Sequence, residues 1–517
     1  MEILNKKIII LKTPRAELIT SKIKKSKIIN HLPDGLQEVA INFGLLEAQQ
    51  LTELKIKNVP STILRDYEWT GNHKPFDHQK DTASFLTLYK KAFCFNEQGT
   101  GKTAAVIWAT DYLMEVGHIK KVLIICPLSI MKSAWQTDLF SFAPHRKVDI
   151  AYGKKETRVE VINGDSEFTI INYDGVNIVK ENIINNNFDL IVVDEASAYK
   201  NAQTQRWKTL KSIIKDETWL WMLTGTPAAQ SPADAFGLAK LINPNNIPKF
   251  FGQFRDSVMQ KASMFKWIPR PNSELTVHNA LQPAIRFKKS ECLDLPELTY
   301  VYRYAPLTSQ QKKYYELLRT QLLIKTNGEE ISAVNAAVKI NKLLQISGGA
   351  VYTDEREIIE FDVSNRLKAV KEVIEESSEK ILVFVPFSHT INLLTEYLDK
   401  NHISNAIIDG SVAVNKRHQI ILNFQTELDI KVLIIQPRAA SHGLTLTAAN
   451  TVIWYSPVSS VETYLQANAR IDRPGQKNAM TVIHIEGSNI ENKMYRMLQN
   501  NLMNHNKLIE LYKNEIL

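Results

Sequence analysis

Two short stretches carry residue types suited to phosphate chemistry. NEQGTGKT (96–103) follows the apolar run KAFCF and precedes TAAVIWAT. Backbone N–H groups at the start of a helix bind anions. Gly99 and Gly101 let the backbone approach phosphate oxygens, Lys102 reaches the β- and γ-phosphates, and the Thr103 hydroxyl ligates Mg²⁺. The spacing GxxxxGK[ST] asks for glycine at position 96, where this chain has Asn96. The second stretch, FDLIVVDEAS (188–197), ends an apolar run in Asp194 and Glu195. Open α/β sheets bind ligands at the C-terminal ends of their strands, so this pair is placed for a ligand. Asp194 is expected to hold Mg²⁺ and Glu195 to orient an attacking water. A strand-end acid is often only a helix cap, but one paired with a phosphate loop points to a triphosphate. A third stretch, ANARIDRPGQ (467–476), sets Arg470 and Arg473 three residues apart. Taken alone, that spacing makes a solvated basic stripe on a helix.

The elements around these stretches follow one pattern. KAFCFNEQ, KVLIICP, EFTIINY, FDLIVVDE and WLWMLTGT read as buried strands, and amphipathic helical stretches separate them. Continuous β-branched runs fit a parallel sheet covered on both faces, and strand–helix alternation predicts a doubly wound α/β lobe. Residues 228–345 read as mostly helical. The alternation resumes near 380 with KILVFVPF, SNAIIDG, KVLIIQP, NTVIWYSP and AMTVIHIEG, which predicts a second such lobe. Before residue 70, IIIL reads as a strand and EVAINFGLLEAQQLTEL as a helix.

Composition narrows the class. The 517 residues imply two to four domains, and 44% apolar with 23% charged content is ordinary for a globular chain. Lys and Arg exceed Asp and Glu by 63 to 55, which permits a polyanionic partner without establishing one. Cys94, Cys126 and Cys292 form no CxxC pair, so neither structural zinc nor a disulfide framework is expected. With no signal-peptide core or 18-residue apolar run, a cytoplasmic protein of a bacterial or virus-infected cell is expected, without a membrane partner.

Together these motifs resemble helicase superfamily two, and within it the Swi/Snf DNA-dependent ATPases, over residues 74–490. KPFDHQ is similar to the adenine-reading motif with Gln79 as the base contact, KVLIICPLSIMKSAWQTDL to motif Ia, LTGTP to motif III, and DEASAYKN to an extended motif II. LQPAIRFKKSECLDLPEL resembles the segment linking the lobes, and ARIDRPGQ resembles motif VI. QPRAASHGLTLTAANTVIWY departs from the usual motif V and looks closer to a subgroup of fork-remodelling and strand-annealing enzymes.

The resemblance implies two RecA-like lobes: residues 71–295 with a helical protrusion from about 228, and 296–490 with a helical insertion to about 360. Residues 1–70 form an accessory region and 491–517 a C-terminal helix. It further implies ATP and Mg²⁺, with Asn96, Glu97, Gln98, Gly99, Thr100, Gly101, Lys102 and Thr103 around the phosphates. Arg470 and Arg473 would be arginine fingers supplied by the second lobe, and Gln466 would share their helical face through i, i+4, i+7 spacing. The DNA rim would comprise Ser129, Lys132, Asn172, Arg206, Lys288, Ser388, His389, Ser441, Gly443 and Thr445, gripping backbone without reading sequence.

The expected partner is double-stranded or branched DNA, bound by a monomer that translocates on the duplex. Rival readings are a fork or junction helicase, a branch-migration or annealing enzyme, and a scaffold whose ATPase has decayed. Intact Lys102, Asp194, Glu195, Arg470 and Arg473 weigh against the scaffold. SKIKKSKI (21–28) reads equally as a DNA contact or a solvated face, and residues 1–70 are where a protein partner would dock.

Overall fold

The structure is a computed structural model that describes residues 1–500 except 72, 229, 263–266, 325–332, 353–356, 428 and 440–444. A small antiparallel sheet comes first: β1 (Glu2–Leu4), β2 (Ile8–Thr13), β3 (Ser26–His31) and β4 (Gln37–Asn42), in the order β1-β2-β4-β3. A helix, Ala16–Lys22, connects β2 to β3, and Ile9, Leu11, Val39 and Ile41 point inward from alternate positions. The helix expected over EVAINFGLLEAQQLTEL is therefore half strand. EVAIN alternates as β4, Gly44 ends it, and only Leu45–Glu53 is helical.

Lobe one is a seven-stranded parallel sheet. Its strands are β5 (Lys91–Cys94), β6 (Val122–Cys126), β7 (Val148–Ala151), β8 (Phe168–Asn172), β9 (Leu190–Val193) and β10 (Trp219–Leu223). After a short hairpin of β11 (Met259–Lys261) and β12 (Trp267–Pro269), β13 (Ala284–Ile285) returns to the edge. The order is β13-β5-β10-β9-β6-β8-β7. Ala92, Cys94, Leu190 and Val192 belong to the core on one face, and Phe93, Phe95, Ile191 and Val193 to the core on the other. Burial on both faces is why these strands read as unbroken apolar runs.

Lobe two opens with β14 (Leu298–Tyr304), and a small hairpin, β15 (Ala350–Tyr352) and β16 (Ile358–Glu360), precedes its main strands. These are β17 (Lys380–Phe384), β18 (Asn405–Ile408), β19 (Val432–Ile435), β20 (Ala449–Trp454) and β21 (Met480–Glu486). They form a parallel sheet in the order β14-β21-β20-β17-β19-β18. Two parallel sheets covered by helices make the α/β fold class expected from the sequence. A terminal helix runs over 489–500; the rest of the helix expected to 517 lies outside the described residues. No described helix is long and apolar enough to cross a membrane.

One buried histidine ties the second sheet to its covering helices. His484 on β21 is fully buried among the rings of Tyr300, Tyr302, Tyr464 and Tyr495, and its Nε2 lies 2.8 Å from the Tyr464 hydroxyl. Burial pushes its pKa down to about 4. Unfolded histidine titrates near 6.5, so the unfolded chain binds the extra proton first. This contribution is present above pH 6.5 and is lost as pH falls toward 4. Urea unfolding of the wild type should lose roughly 2–3 kcal/mol across that window, and His484→Gln should remove that part of the pH dependence. An unchanged acid profile in the variant would contradict the assignment.

Candidate active site

The phosphate loop leaves β5, and helix Lys102–Glu115 begins as it ends. Gly99 and Gly101 hold φ of +86° and +78°, a region that L side chains rarely adopt. A Cβ on Gly101 would stand 2.0 Å from Gln79 Nε2. Gln79 accepts the Phe76 N–H (3.0 Å) and donates to the Thr100 carbonyl (3.2 Å), so its amide caps its own helix and braces the loop. Thr100 in turn donates its hydroxyl to the Glu97 carbonyl at 2.8 Å.

Asn96 corrects an expectation. Its amide donates to the Thr82 hydroxyl (2.8 Å) and its carbonyl accepts the Phe287 N–H (3.0 Å). With both ends engaged and the residue buried, the side chain anchors the loop instead of facing phosphate. That is the physical reason an asparagine stands where the usual pattern has glycine. Glu97 is likewise committed, accepting the Lys289 N–H at 2.9 Å and lying 3.4 Å from the Arg286 guanidinium.

Lys102 donates to the carbonyls of Asn96 (2.7 Å) and Glu97 (3.1 Å) across the mouth of the loop. Burial lowers its pKa, opposed by Glu195 and Asp194. These acids sit at the end of β9, with β10 lying between β9 and β5, so both motifs open on one sheet edge. Asp194 accepts the Glu195 N–H on Oδ1 (2.9 Å) and the Trp135 indole N–H on Oδ2 (2.9 Å). Trp135 is fully buried on a π-helical turn, Met131–Gln136, a deformation that often marks functional sites. The Tyr173 hydroxyl donates to the carbonyls of Asp194 (2.7 Å) and Glu195 (3.2 Å).

Glu195 adopts φ +47°, ψ 54°, a left-handed conformation that a glutamate keeps only when its surroundings impose it. Burial, then the Asp194 charge, pushes its pKa up to about 8. Its Oε2 and the Gln98 Nε2 are buried with no hydrogen-bond partner. Gln98 also packs on Gly225 of the LTGTP turn, where a Cβ would lie 2.7 Å from its Nε2. Unpartnered polar atoms beside a lysine, a carboxylate pair and left-handed glycines fit a nucleoside triphosphate with Mg²⁺. Thr103 and Asp194 would supply the metal-side oxygens.

Lobe two closes the cleft. The helix Val461–Asn468 ends before Arg470, so Gln466, Arg470 and Arg473 do not share a helical face as their spacing implied. The chain turns instead, with the Arg470 carbonyl accepting the Leu446 N–H at 3.0 Å. Arg470 is 1% exposed, its pKa lowered by burial and by Arg473 against the pull of Glu195. Arg473 donates to the Ala469 carbonyl (2.8 Å) and the Thr445 hydroxyl (3.3 Å). Its Cγ would be 3.4 Å from a Cβ on Gly99. Burial lowers its pKa to about 10, opposed by Glu195, Asp138 and Asp472.

Two further bonds cross between the lobes. Ser197 of DEAS donates to Glu462 at 2.5 Å, and Gln466 donates to the same oxygen at 3.4 Å. Lys289 forms an ion pair with Asp472. Sequence reading missed Glu462, Ser197 and Asp472; one signal was available, since Glu462 precedes Gln466 by one helical turn.

The residues expected on a DNA rim stand in different surroundings. Lys132 and Ser388 are exposed, and Ser129 is half-buried just before Lys132. The Asn172 carbonyl accepts from Arg158 at 3.0 Å, Arg206 pairs with Asp174 at 2.9 Å, and the His389 ring lies 4.9 Å from that of Tyr352. Lys288 lies 3.8 Å from Glu291 in a segment that β13 delivers beside the phosphate loop, where its neighbour Lys289 donates its N–H to Glu97. Thr445 is likewise engaged with Arg473 on the nucleotide side. Ser441 and Gly443 lie outside the described residues.

Comparison with known proteins adds a lineage to this geometry. A family model described as SNF2-related domain matches residues 78–350, and one described as helicase conserved C-terminal domain matches 365–475. Over 436 residues the chain is 28% identical to a chromodomain-helicase-DNA-binding protein 1-like of Mus musculus, covering 80% of this chain and 47% of that protein. It is 26% identical over 417 residues to an uncharacterized ATP-dependent helicase of Mycoplasma genitalium, covering 78% and 39%. It is 26% identical over 486 residues to the ATP-dependent DNA helicase DDM1 of Arabidopsis thaliana, covering 86% and 62%. The chain thus spans about half the length, or less, of the first two relatives. Among solved structures, the Sulfolobus solfataricus SWI2/SNF2 ATPase core in complex with dsDNA aligns with a TM-score of 0.42 at 21% identity, covering 83% of this chain and 92% of that one.

The bond from Trp135 to Asp194 generates a prediction. Trp135→Phe keeps an aromatic ring in the core and removes the indole N–H together with part of the ring's volume. Affinity for a fluorescent ATP analogue in the presence of Mg²⁺ should fall about 10–100-fold, as for other residues that orient a metal ligand. Unchanged Mg²⁺-dependent binding would show that the bond does not position Asp194.

Proposed function

The chain belongs to the SNF2-related family of helicase-type proteins, and from that premise we propose that it hydrolyses ATP to translocate along double-stranded DNA and remodel DNA or DNA–protein complexes. The observation that carries this reading is the seating of two lobe-two arginines at the lobe-one phosphate loop. Arg473 packs on Gly99, and Arg470 is buried in the field of Glu195.

Lys102 and the loop N–H groups would hold the phosphates, with Thr103 and Asp194 holding Mg²⁺. Bound ATP with Mg²⁺ supplies the transferable phosphoryl group and a divalent charge. Glu195 Oε2, which meets no donor, would orient the attacking water and take its proton. Arg470 and Arg473 would bring positive charge from the second lobe to the phosphates, and such fingers are worth roughly 10³–10⁵ in rate. Each separation of the lobes must break the Ser197–Glu462 bond and the Lys289–Asp472 pair, and each closure must remake them. A cycle of that kind alternates the grip of two lobes on one nucleic-acid backbone, which is how hydrolysis becomes movement.

Lys132 and Ser388, exposed and free of the cleft's bonding, are the strongest candidates for that grip. The names of the relatives support a DNA partner: one is a DNA-binding helicase-like protein and another a DNA helicase. Hydrolysis measured with plain duplex, forked duplex, four-way junction and duplex RNA tests the reading. Plain duplex DNA should stimulate it, and Glu195→Gln should lower the stimulated rate more than about 100-fold while ATP still binds. Stimulation by RNA alone, or full turnover in Glu195→Gln, would refute the proposal.

A further inference from the structure

The cleft makes no use of the first sheet, yet the start of the chain carries a net positive charge out of proportion to its length. Residues 1–31 carry seven lysines and Arg15 against Glu2 and Glu17, an excess of six where the whole chain has eight. The fold gathers much of this charge at one place. The Leu4–Lys7 turn, closed by the Lys7 N–H on the Leu4 carbonyl at 3.0 Å, puts Lys6 and Lys7 beside the last residues of β4. There the Lys7 carbonyl accepts the Phe43 N–H at 2.7 Å. On the other side of β4 the Lys25 carbonyl accepts the Asn42 N–H at 2.9 Å, so Lys24 and Lys25 border the same strand end. Lys27, the second residue of β3, stands opposite Ala40.

β2 and β3 flank β4, so the two lysine groups stand about 10 Å apart, twice the spacing of paired strands. A major groove is about 12 Å wide, so groups at that separation can meet phosphates on both of its walls.

Two features separate this rim from an ordinary solvated face. First, most of its cations are left uncompensated. Lys6, Lys7, Lys22, Lys24 and Lys27 are exposed, and among the described residues none of them forms an ion pair. Lys12 meets Glu38 at 3.4 Å, and within the rim Lys25 alone meets a carboxylate among the described residues, that of Glu47 on the following helix at 3.8 Å.

Second, the turn keeps a lysine where backbone geometry asks for glycine. Asn5 and Lys6 hold φ of 50° and 56°, the pattern of a type I′ hairpin, whose second central position favours glycine strongly. The strain keeps a cation at the tip.

We propose that this rim is a second, sequence-independent contact for the phosphate backbone of duplex DNA, separate from the nucleotide cleft. It rests on the reading of the chain as a DNA motor. Lysines interleaved with exposed Asn5 and Asn42 suit phosphate oxygens. Phe43, the aromatic residue at this end, is buried, so no ring is offered for insertion into a bilayer. The rim anchors duplex while the lobes open and close, so that the motor keeps hold between strokes.

The test is a salt titration of duplex binding by the full chain, its Lys7→Glu/Lys24→Glu/Lys27→Glu variant and the corresponding glutamine variant. The slope of log affinity against log salt should shrink by about 2–3 in both variants, at close to one unit per lost phosphate contact. Affinity at moderate salt should fall on the order of tenfold, more for glutamate than for glutamine, while hydrolysis without DNA stays unchanged. Wild-type binding with variants of identical slope would overturn this surface alone. Absence of salt-dependent duplex binding in the wild type would overturn the motor reading with it. If the variants lose binding only to vesicles containing phosphatidylserine, or only to duplex RNA, the DNA assignment falls.

Discussion

Everything in this fold depends on bringing guanidinium groups into a cleft that also holds two carboxylates. Arg470 is almost wholly buried, a costly arrangement for a charge unless an opposite charge faces it. Glu195 faces it from the other lobe, and its own pKa is raised by burial and by Asp194. Neither lobe offers this balance alone. The cleft is therefore built as a shared object, and on the proposed function its charges would be the means by which a change at the phosphates is felt in lobe spacing. The bonds at the margin, Ser197 to Glu462 and Lys289 to Asp472, make closure directional by fixing which loops meet.

Lobe one holds its half rigidly. Trp135 and Tyr173 fasten Asp194 and the backbone of Glu195, and Asn96 fastens the phosphate loop to Thr82 and Phe287. Preorganised groups of this sort lose little freedom when a ligand arrives, so binding energy remains for closure. Lobe two, by contrast, presents its arginines from a turn stitched to Leu446 and Thr445.

What was legible in the sequence was local. NEQGTGKT and DEAS announce themselves because their chemistry lies within one strand-to-helix turn, and buried strands read as apolar runs because both faces are covered. What failed was non-local or depended on a single break. Thr445 looked like a rim residue, but its hydroxyl accepts from Arg473. The helical face assigned to Gln466, Arg470 and Arg473 fails because the helix stops at Asn468. Gly44 divides a stretch that looked helical into strand and helix. The bond from Trp135 to Asp194 joins residues 59 apart through a π-turn that periodicity does not announce.

The most direct test of the shared cleft is to remove lobe two's contribution and ask what the nucleotide still experiences. In Arg473→Ala, ATP affinity, set chiefly by the loop and Lys102, should stay within a few-fold of wild type. Single-turnover hydrolysis with duplex DNA should fall about 10³-fold or more. Hydrolysis at close to the wild-type rate in that variant would contradict the account, since the first lobe would then be catalytically complete by itself.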